Sequence, residues 1–259
     1  MTNPIFASAQ AVSTDSSSQN VVESAAALIV GSELLSGKIR DENLHELSVT
    51  LRAMGIHLRR VIICPDDINT IAEDLVALLA GHDVVFTSGG LGPTHDDVTV
   101  AGVCKALGIG AERSSEMVQI IEKIYGASTT DNHRLMAHIP RGAQLIDTGG
   151  WPLIVAGRIW LLPGVPELFK SKLAAVRREL RGPGPIHSRT VKVSVEEAFI
   201  KDSLDLIVKT HPAVEIGSYP KWFDPTYKTL ITLDGRAEHL VSLAHEQLRL
   251  AMAAYLVGE

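Results

Sequence analysis

Cysteine is almost missing from this sequence. Cys64 and Cys104 are the only two, and neither belongs to a C-x-x-C pair. A disulfide scaffold and a zinc–cysteine site are therefore excluded, and each cysteine reads as a small core residue. No apolar run approaches the roughly 20 residues that cross a bilayer, so no membrane association is expected. No block of Lys or Arg occurs, and the formal net charge is -6. A nucleic-acid backbone needs a basic stripe, which argues against DNA or RNA as the main partner. Residues 1–24 are rich in Ala, Ser, Thr, Gln and Asn, with no Lys or Arg ahead of a hydrophobic stretch. They read as a disordered tail rather than a signal peptide, and the expected location is the cytoplasm.

What remains is an ordinary globular balance, 46% hydrophobic and 21% charged in 259 residues. That suits one α/β domain with room for a smaller one. Ala25–Val30 is an uninterrupted apolar run ending at Gly31, the pattern of a strand covered on both faces. A helix from Asp41 to Gly55, a strand over His57–Ile63, a helix face through Ile68, Ile71, Leu75 and Leu78, and a strand over Asp83–Ser88 follow. Asp96 or Asp97 is then expected to open a helix closing at Gly108. This alternation predicts right-handed βαβ units and a mainly parallel sheet. A helix over Ser115–Tyr125, a hairpin pairing Leu153–Val155 with Ile159–Leu162, and a helix opened by Pro166 complete a domain over residues 25–181. Arg181-Gly-Pro-Gly-Pro185 admits neither helix nor strand and marks a boundary. Residues 187–259 read as a small α+β module.

Ligands of open parallel sheets bind beyond the carboxyl ends of the strands. Three loops begin at such ends: Gly31-Ser-Glu-Leu-Leu-Ser-Gly37, Pro65-Asp-Asp67, and Ser88-Gly-Gly-Leu-Gly-Pro-Thr-His-Asp-Asp-Val-Thr99. In the third, Gly89, Gly90 and Gly92 let the backbone approach an anion, and the following helix start favours phosphate. Ser88, Pro93, Thr94 and Thr99 belong to the same wall. The loop is neither a Walker A motif nor G-x-G-x-x-G, which removes support for an NTPase or a dinucleotide dehydrogenase.

Asp96 and Asp97 have two readings. They cap a helix, or they hold a divalent cation without which two carboxylates would repel a phosphate. Asp66 and Asp67 pose the same choice. Glu33 and Asn43 are candidate ligand contacts, and Gly164 in the turn Leu162-Pro-Gly-Val-Pro-Glu167 offers a fourth wall. Arg134 is either a bidentate phosphate clamp or a surface ion pair. His95 is an acid–base candidate or simply a solvated loop residue.

Taken together, Gly31-x-Glu-Leu-Leu-Ser-Gly, Pro65-Asp-Asp, Gly89-Gly-Leu-Gly-Pro-Thr-His-Asp-Asp-Val-Thr99 and Leu162-Pro-Gly-Val-Pro-Glu167 resemble the molybdopterin-binding-like family. Its members include MoaB and MogA proteins, CinA N-terminal domains and the corresponding domain of FAD synthases. Gly217-Ser-Tyr-Pro-Lys-Trp222 and Tyr227–Asp234 extend the resemblance to the CinA and FAD-synthase subgroup. It implies a three-layer α/β sandwich of MoaB/MogA type with its ligand at the strand ends. It also implies that Asp66 and Asp97 are the pair that handles adenylylated pterin in MogA-like proteins. In the CinA and FAD-synthase subgroup, the site is linked to metal-dependent cleavage of nucleotide diphosphates. Ser32 departs from the pattern, standing where CinA sequences have Asp. The segment Asp147–Val155 is shorter than the usual CinA loop, closer to the FAD-synthase style. The chain has no room for a CinA deamidase or FAD-synthase adenylyl-transfer domain, so neither activity is expected.

The resulting expectation is a pyrophosphatase-type hydrolase of ADP-ribose or FAD that releases AMP. Its cofactor would be a divalent metal (Mg²⁺, Mn²⁺ or Co²⁺) held by Asp66, Asp96 and Asp97, with no haem or flavin prosthetic group. The alternatives are a non-catalytic binder of pterin or adenine nucleotide, and a molybdenum-cofactor biosynthesis factor. In each case the partner is a small nucleotide or pterin, and the resemblance favours a homo-oligomer.

Overall fold

The computed structural model describes residues 21–258. Residues 1–20 of the expected tail lie outside them. Val22 already packs against the core, and its N–H donates to the Arg181 carbonyl at 2.9 Å. Strand β1 therefore opens at Ser24, one residue ahead of the apolar run.

β1 (Ser24–Val30) is buried throughout. It is followed by a single-turn helix α1 (Ser32–Leu35), helix α2 (Asn43–Ala53), strand β2 (His57–Cys64), helix α3 (Ile68–Gly81), strand β3 (Val84–Ser88) and helix α4 (Thr99–Leu107). Short strands β4 (Ala111–Arg113), β5 (His138–Pro140) and β6 (Gln144–Ile146) surround helices α5 (Ser115–Tyr125) and α6 (Asp131–Leu135). The expected hairpin is present as β7 (Leu153–Ala156) and β8 (Ile159–Leu162), and leads into helix α7 (Pro166–Glu179).

The main sheet runs β2-β1-β3-β8-β7-β6. The four strands β2, β1, β3 and β8 are mutually parallel, and β7 and β6 are antiparallel additions. Alternate residues of the central strands feed opposite faces, as strand geometry requires. Ala25, Ala27, Val84 and Phe86 join Leu47 and Leu51 of α2 and Phe169, Leu173 and Val176 of α7. Ala26, Leu28, Val30 and Val85 join Ile71, Leu75 and Leu78 of α3 and Val103 of α4. Two apolar layers around one sheet make the expected three-layer α/β sandwich.

After Gly184, strand β9 (His187–Val193), helix α8 (Glu197–Thr210), strands β10 (Glu215–Pro220) and β11 (Thr229–Gly235) and helix α9 (Glu238–Ala251) form the second unit. Its antiparallel sheet, β10-β11-β9, carries its own core around Val193, Ile200, Leu233 and Leu248. Arg52 pairs with Asp234 at 2.6 Å, and Arg236 donates to the Gly55 carbonyl at 3.1 Å, fastening this unit to the end of α2.

Candidate functional site

A cavity of about 760 Å³ opens at the carboxyl ends of β1 and β3. Ten of the residues expected there line it: Glu33, Asn43, Asp66, Ser88, Gly89, Gly90, Gly92, Asp96, Asp97 and Gly164. Its floor is the glycine loop. Gly89 and Gly90 have φ of 99° and 66°, in the left-handed region that glycine tolerates. A Cβ on Gly89 would sit 2.3 Å from the Val30 carbonyl oxygen. Thr99, fully buried, does not face the cavity. Its hydroxyl donates to the Gly89 carbonyl at 2.9 Å and its N–H to the Gly90 carbonyl at 3.2 Å, so it shapes the loop from below. The N–H groups of Gly90 and Leu91 have no hydrogen-bond partner among the described residues. Two adjacent free donors are the kind of group that suits an anion.

Helices α2 and α7 also open at the cavity, through Asn43 and Pro166, and their positive ends add to that preference. The Asn43 side-chain amide, 3% exposed, donates to the Gly164 carbonyl at 2.8 Å and to Ser88 Oγ at 3.1 Å. Three segments distant in sequence are thereby fixed around one opening.

The aspartates separate by role. Asp97 does not cap α4, as one sequence reading had it. That helix starts at Thr99 after Val98, with no side-chain cap. Asp97 Oδ1 instead accepts from the Gly92 N–H at 2.7 Å, and Oδ2 accepts from the Thr94 N–H at 2.8 Å and from the Thr94 hydroxyl. A carboxylate committed to its own loop cannot begin the helix, which explains the later start. Asp67 is the N-cap of α3, accepting from the Thr70 N–H at 2.8 Å. That backbone hydrogen bond, with the Thr70 hydroxyl, holds its carboxyl below the ordinary range. Asp66 Oδ2 accepts from the Ser32 N–H at 2.8 Å, and Ser32 Oγ accepts from the Asp66 N–H at 3.3 Å. Asp66 Oδ1 has no partner among the described residues. Serine at position 32 thus ties the first loop to the second.

Other expected residues lie elsewhere. Arg134 pairs with Asp131 at 2.9 Å and Glu122 at 3.3 Å and does not line the cavity. The cation that lines the cavity is Arg40, which no motif singled out. Gly31 turns the chain beside the wall, its N–H donating to the Cys64 carbonyl at 3.1 Å. Pro93 and Thr94 line an adjoining cavity of about 290 Å³ behind the glycine loop. His95 is almost wholly exposed and lies 3.9 Å from Asp96.

The electrostatics are one-sided. Glu33, Asp41, Glu42, Asp66, Asp96 and Asp97 meet Arg40 alone among the lining cations. Among the described residues no group of three or more His, Cys, Asp or Glu can hold a metal ion by itself. A magnesium-type ion needs only one or two carboxylates when substrate phosphates supply further oxygens. Asp66 and Asp96 both line the cavity with the glycine loop. The lining also has an apolar part, with Ile124, Tyr125, Met136, Trp151 and Leu168. No helix among the described residues is long and apolar enough to cross a membrane.

Comparison with known proteins agrees with this geometry. Residues 26–181 match the family described as "Probable molybdopterin binding domain", and residues 185–258 match "FAD synthase, middle domain". A protein of Archaeoglobus fulgidus is 32% identical over 220 residues, covering 84% of this chain and 93% of its own length. A probable FAD synthase of Caenorhabditis elegans is 27% identical over 267 residues, covering 91% of this chain. The chain spans about half of that relative (51%). The crystal structure of CinA from Thermoplasma acidophilum superposes with a TM-score of 0.56 at 32% identity, over 61% of this chain and 98% of that one. The chain belongs to the molybdopterin-binding domain family, in the CinA-like subgroup that carries an FAD-synthase middle domain.

Proposed function

We propose that this protein is a divalent-metal-dependent hydrolase of nucleotide diphosphates of the ADP-ribose or FAD type, releasing AMP. The observation that carries the reading is the pairing of free Gly90 and Leu91 amides with the unpartnered Oδ1 of Asp66 across one large cavity. The amides and helix ends bind a phosphate, Arg40 meets a second, and the carboxylates demand a counter-charge. Asp66 and Asp96 would hold a divalent cation together with substrate phosphates, and that ion would neutralise their charge and polarise phosphorus. Asp97 keeps the loop in shape, and Asp66 orients the attacking water, whose proton ends on the released phosphate. The water oxygen bonds to phosphorus as the bond to the bridging oxygen breaks, leaving two phosphate monoesters.

Incubation with ADP-ribose or FAD, with and without Mg²⁺, Mn²⁺ or Co²⁺, and chromatography for AMP tests this directly. Metal-dependent AMP release, lost in Asp66→Asn, is the expected result. Absence of AMP with every metal and both substrates overturns it.

One observation favours a non-catalytic binder of a nucleotide or pterin instead. Both oxygens of Asp97 and one of Asp66 are already engaged in holding loops. That reading expects saturable binding without product over long incubation.

A further inference from the structure

The cavity is far larger than a diphosphate, and its second half is chemically unlike the first. The sequence has only twelve aromatic residues (five Phe, three Trp, four Tyr). Two of them, Tyr125 and Trp151, line this cavity with Met136, in the same lining as the glycine loop. Trp151 and Met136 also line the adjoining cavity behind the glycine loop, so Trp151 stands between the two spaces. Tyr125 is backed by the His133 ring, stacked at 4.0 Å and 23°. Such a wall suits a flat, apolar-faced heterocycle.

Trp151 is held from behind. Its carbonyl oxygen accepts from Lys172 Nζ and from the Thr148 hydroxyl, and Lys172 Nζ also donates to Thr148 Oγ1 at 2.8 Å. Lys172 is 2% exposed, and no carboxylate among the described residues partners it. A buried ammonium without a counter-ion is expensive to keep. Here both of its acceptors belong to the turn that carries Trp151.

We infer that Trp151 is the stacking platform for the planar ring of the ligand, and that Lys172 is the positioning residue that sets the turn bearing it. This rests on the nucleotide reading above and deepens it by assigning the ring end: a purine or pterin against Trp151, with its phosphate on Gly90 and Leu91. The specificity-determining contact thereby falls in the segment Asp147–Val155, outside the glycine motif in sequence.

The test is equilibrium dialysis of the full chain, with Mg²⁺, against AMP and against ribose 5-phosphate, which lacks the base. Wild type is expected to bind AMP tenfold or more tighter than ribose 5-phosphate, the scale of one base–aromatic stack. Trp151→Ala erases that difference by weakening AMP alone, and Trp151→Phe restores most of it. A Trp222→Phe background leaves Trp151 and the buried Trp160 as reporters, and saturating AMP is expected to quench the fluorescence. That second measurement decides the matter should Trp151→Ala fail to fold. Equal affinity for the two ligands in wild type, equal losses for both in Trp151→Ala, or binding without quenching overturns the platform while the phosphate site stands. No binding of either ligand overturns both readings together.

Discussion

The side-chain amide of Asn43 lies 2.8 Å from the carbonyl oxygen of Gly164, joining the first turn of α2 to the turn after β8. Both partners are drawn from the cavity wall, so the contact sets the width of the opening. Replacing Asn43 by Ala leaves the Gly164 carbonyl and Ser88 Oγ without this donor. Stability is expected to fall by about 1 kcal/mol, the usual net worth of an intramolecular hydrogen bond. Urea denaturation should show a lower midpoint with an unchanged slope. An unchanged midpoint would mean that the two segments are held together by packing alone.

Asp97 is expected to act as a loop organiser, and its removal should read out locally. In Asp97→Ala the amides of Gly92 and Thr94 lose their acceptor. Their hydrogen exchange should accelerate at least tenfold, while exchange in β1 and β3 is unaltered. A purely metal-binding aspartate would leave those amides protected in metal-free protein, and that result would remove the organising role.

Much of the sandwich was legible because its elements are long and strongly patterned. β1, β3, α3 and the β7–β8 hairpin follow from apolar runs and helical spacing. The three-residue strands β4, β5 and β6 are too short to show a period of two, and the single turns α1 and α6 too short to show one of 3.6. Within the site, glycine and aspartate loops announced themselves because their chemistry is local. Arg40, Tyr125, Met136 and Trp151 did not. They reach the cavity only through tertiary packing, and a lone aromatic in a sequence reads first as core. Arg134 shows the converse, since its motif-like setting ends in ion pairs with Asp131 and Glu122.

Cys64 closes β2 directly before the Pro65-Asp-Asp67 loop, yet its thiol is expected to be inert. Burial, reinforced by the carboxylates of Asp74, Asp66 and Asp67, pushes its pKa up to about 12. Burial also raises that of Cys104. The thiolate is the reactive form. Native protein at pH 8 should therefore release no colour with a disulfide reagent over minutes, and two thiols should react once urea is added. Rapid native reaction would show that the end of β2 opens to solvent.

Lys172 gives the molecule a pH dependence whose sign follows from its burial. Enclosure disfavours the charged ammonium and lowers its pKa from the ordinary value of 10.5. Below the lowered pKa the lysine is protonated whether the chain is folded or not, and the folded state bears the desolvation in full. As pH rises from that value towards 10.5, the folded protein sheds its proton before the unfolded chain does. The unfolded state then binds more protons, so this group's contribution to stability rises with pH across that window. Lys172→Met cancels the effect, since it removes the buried charge together with its hydrogen bonds to Thr148 and Trp151. Denaturation of both proteins at several pH values between 8 and 10.5 isolates the lysine from other titrating groups. The stability of wild type relative to Lys172→Met should climb with pH. A flat difference would show that the ammonium is solvated in the folded state, and that it does not hold the Trp151 turn from within the core.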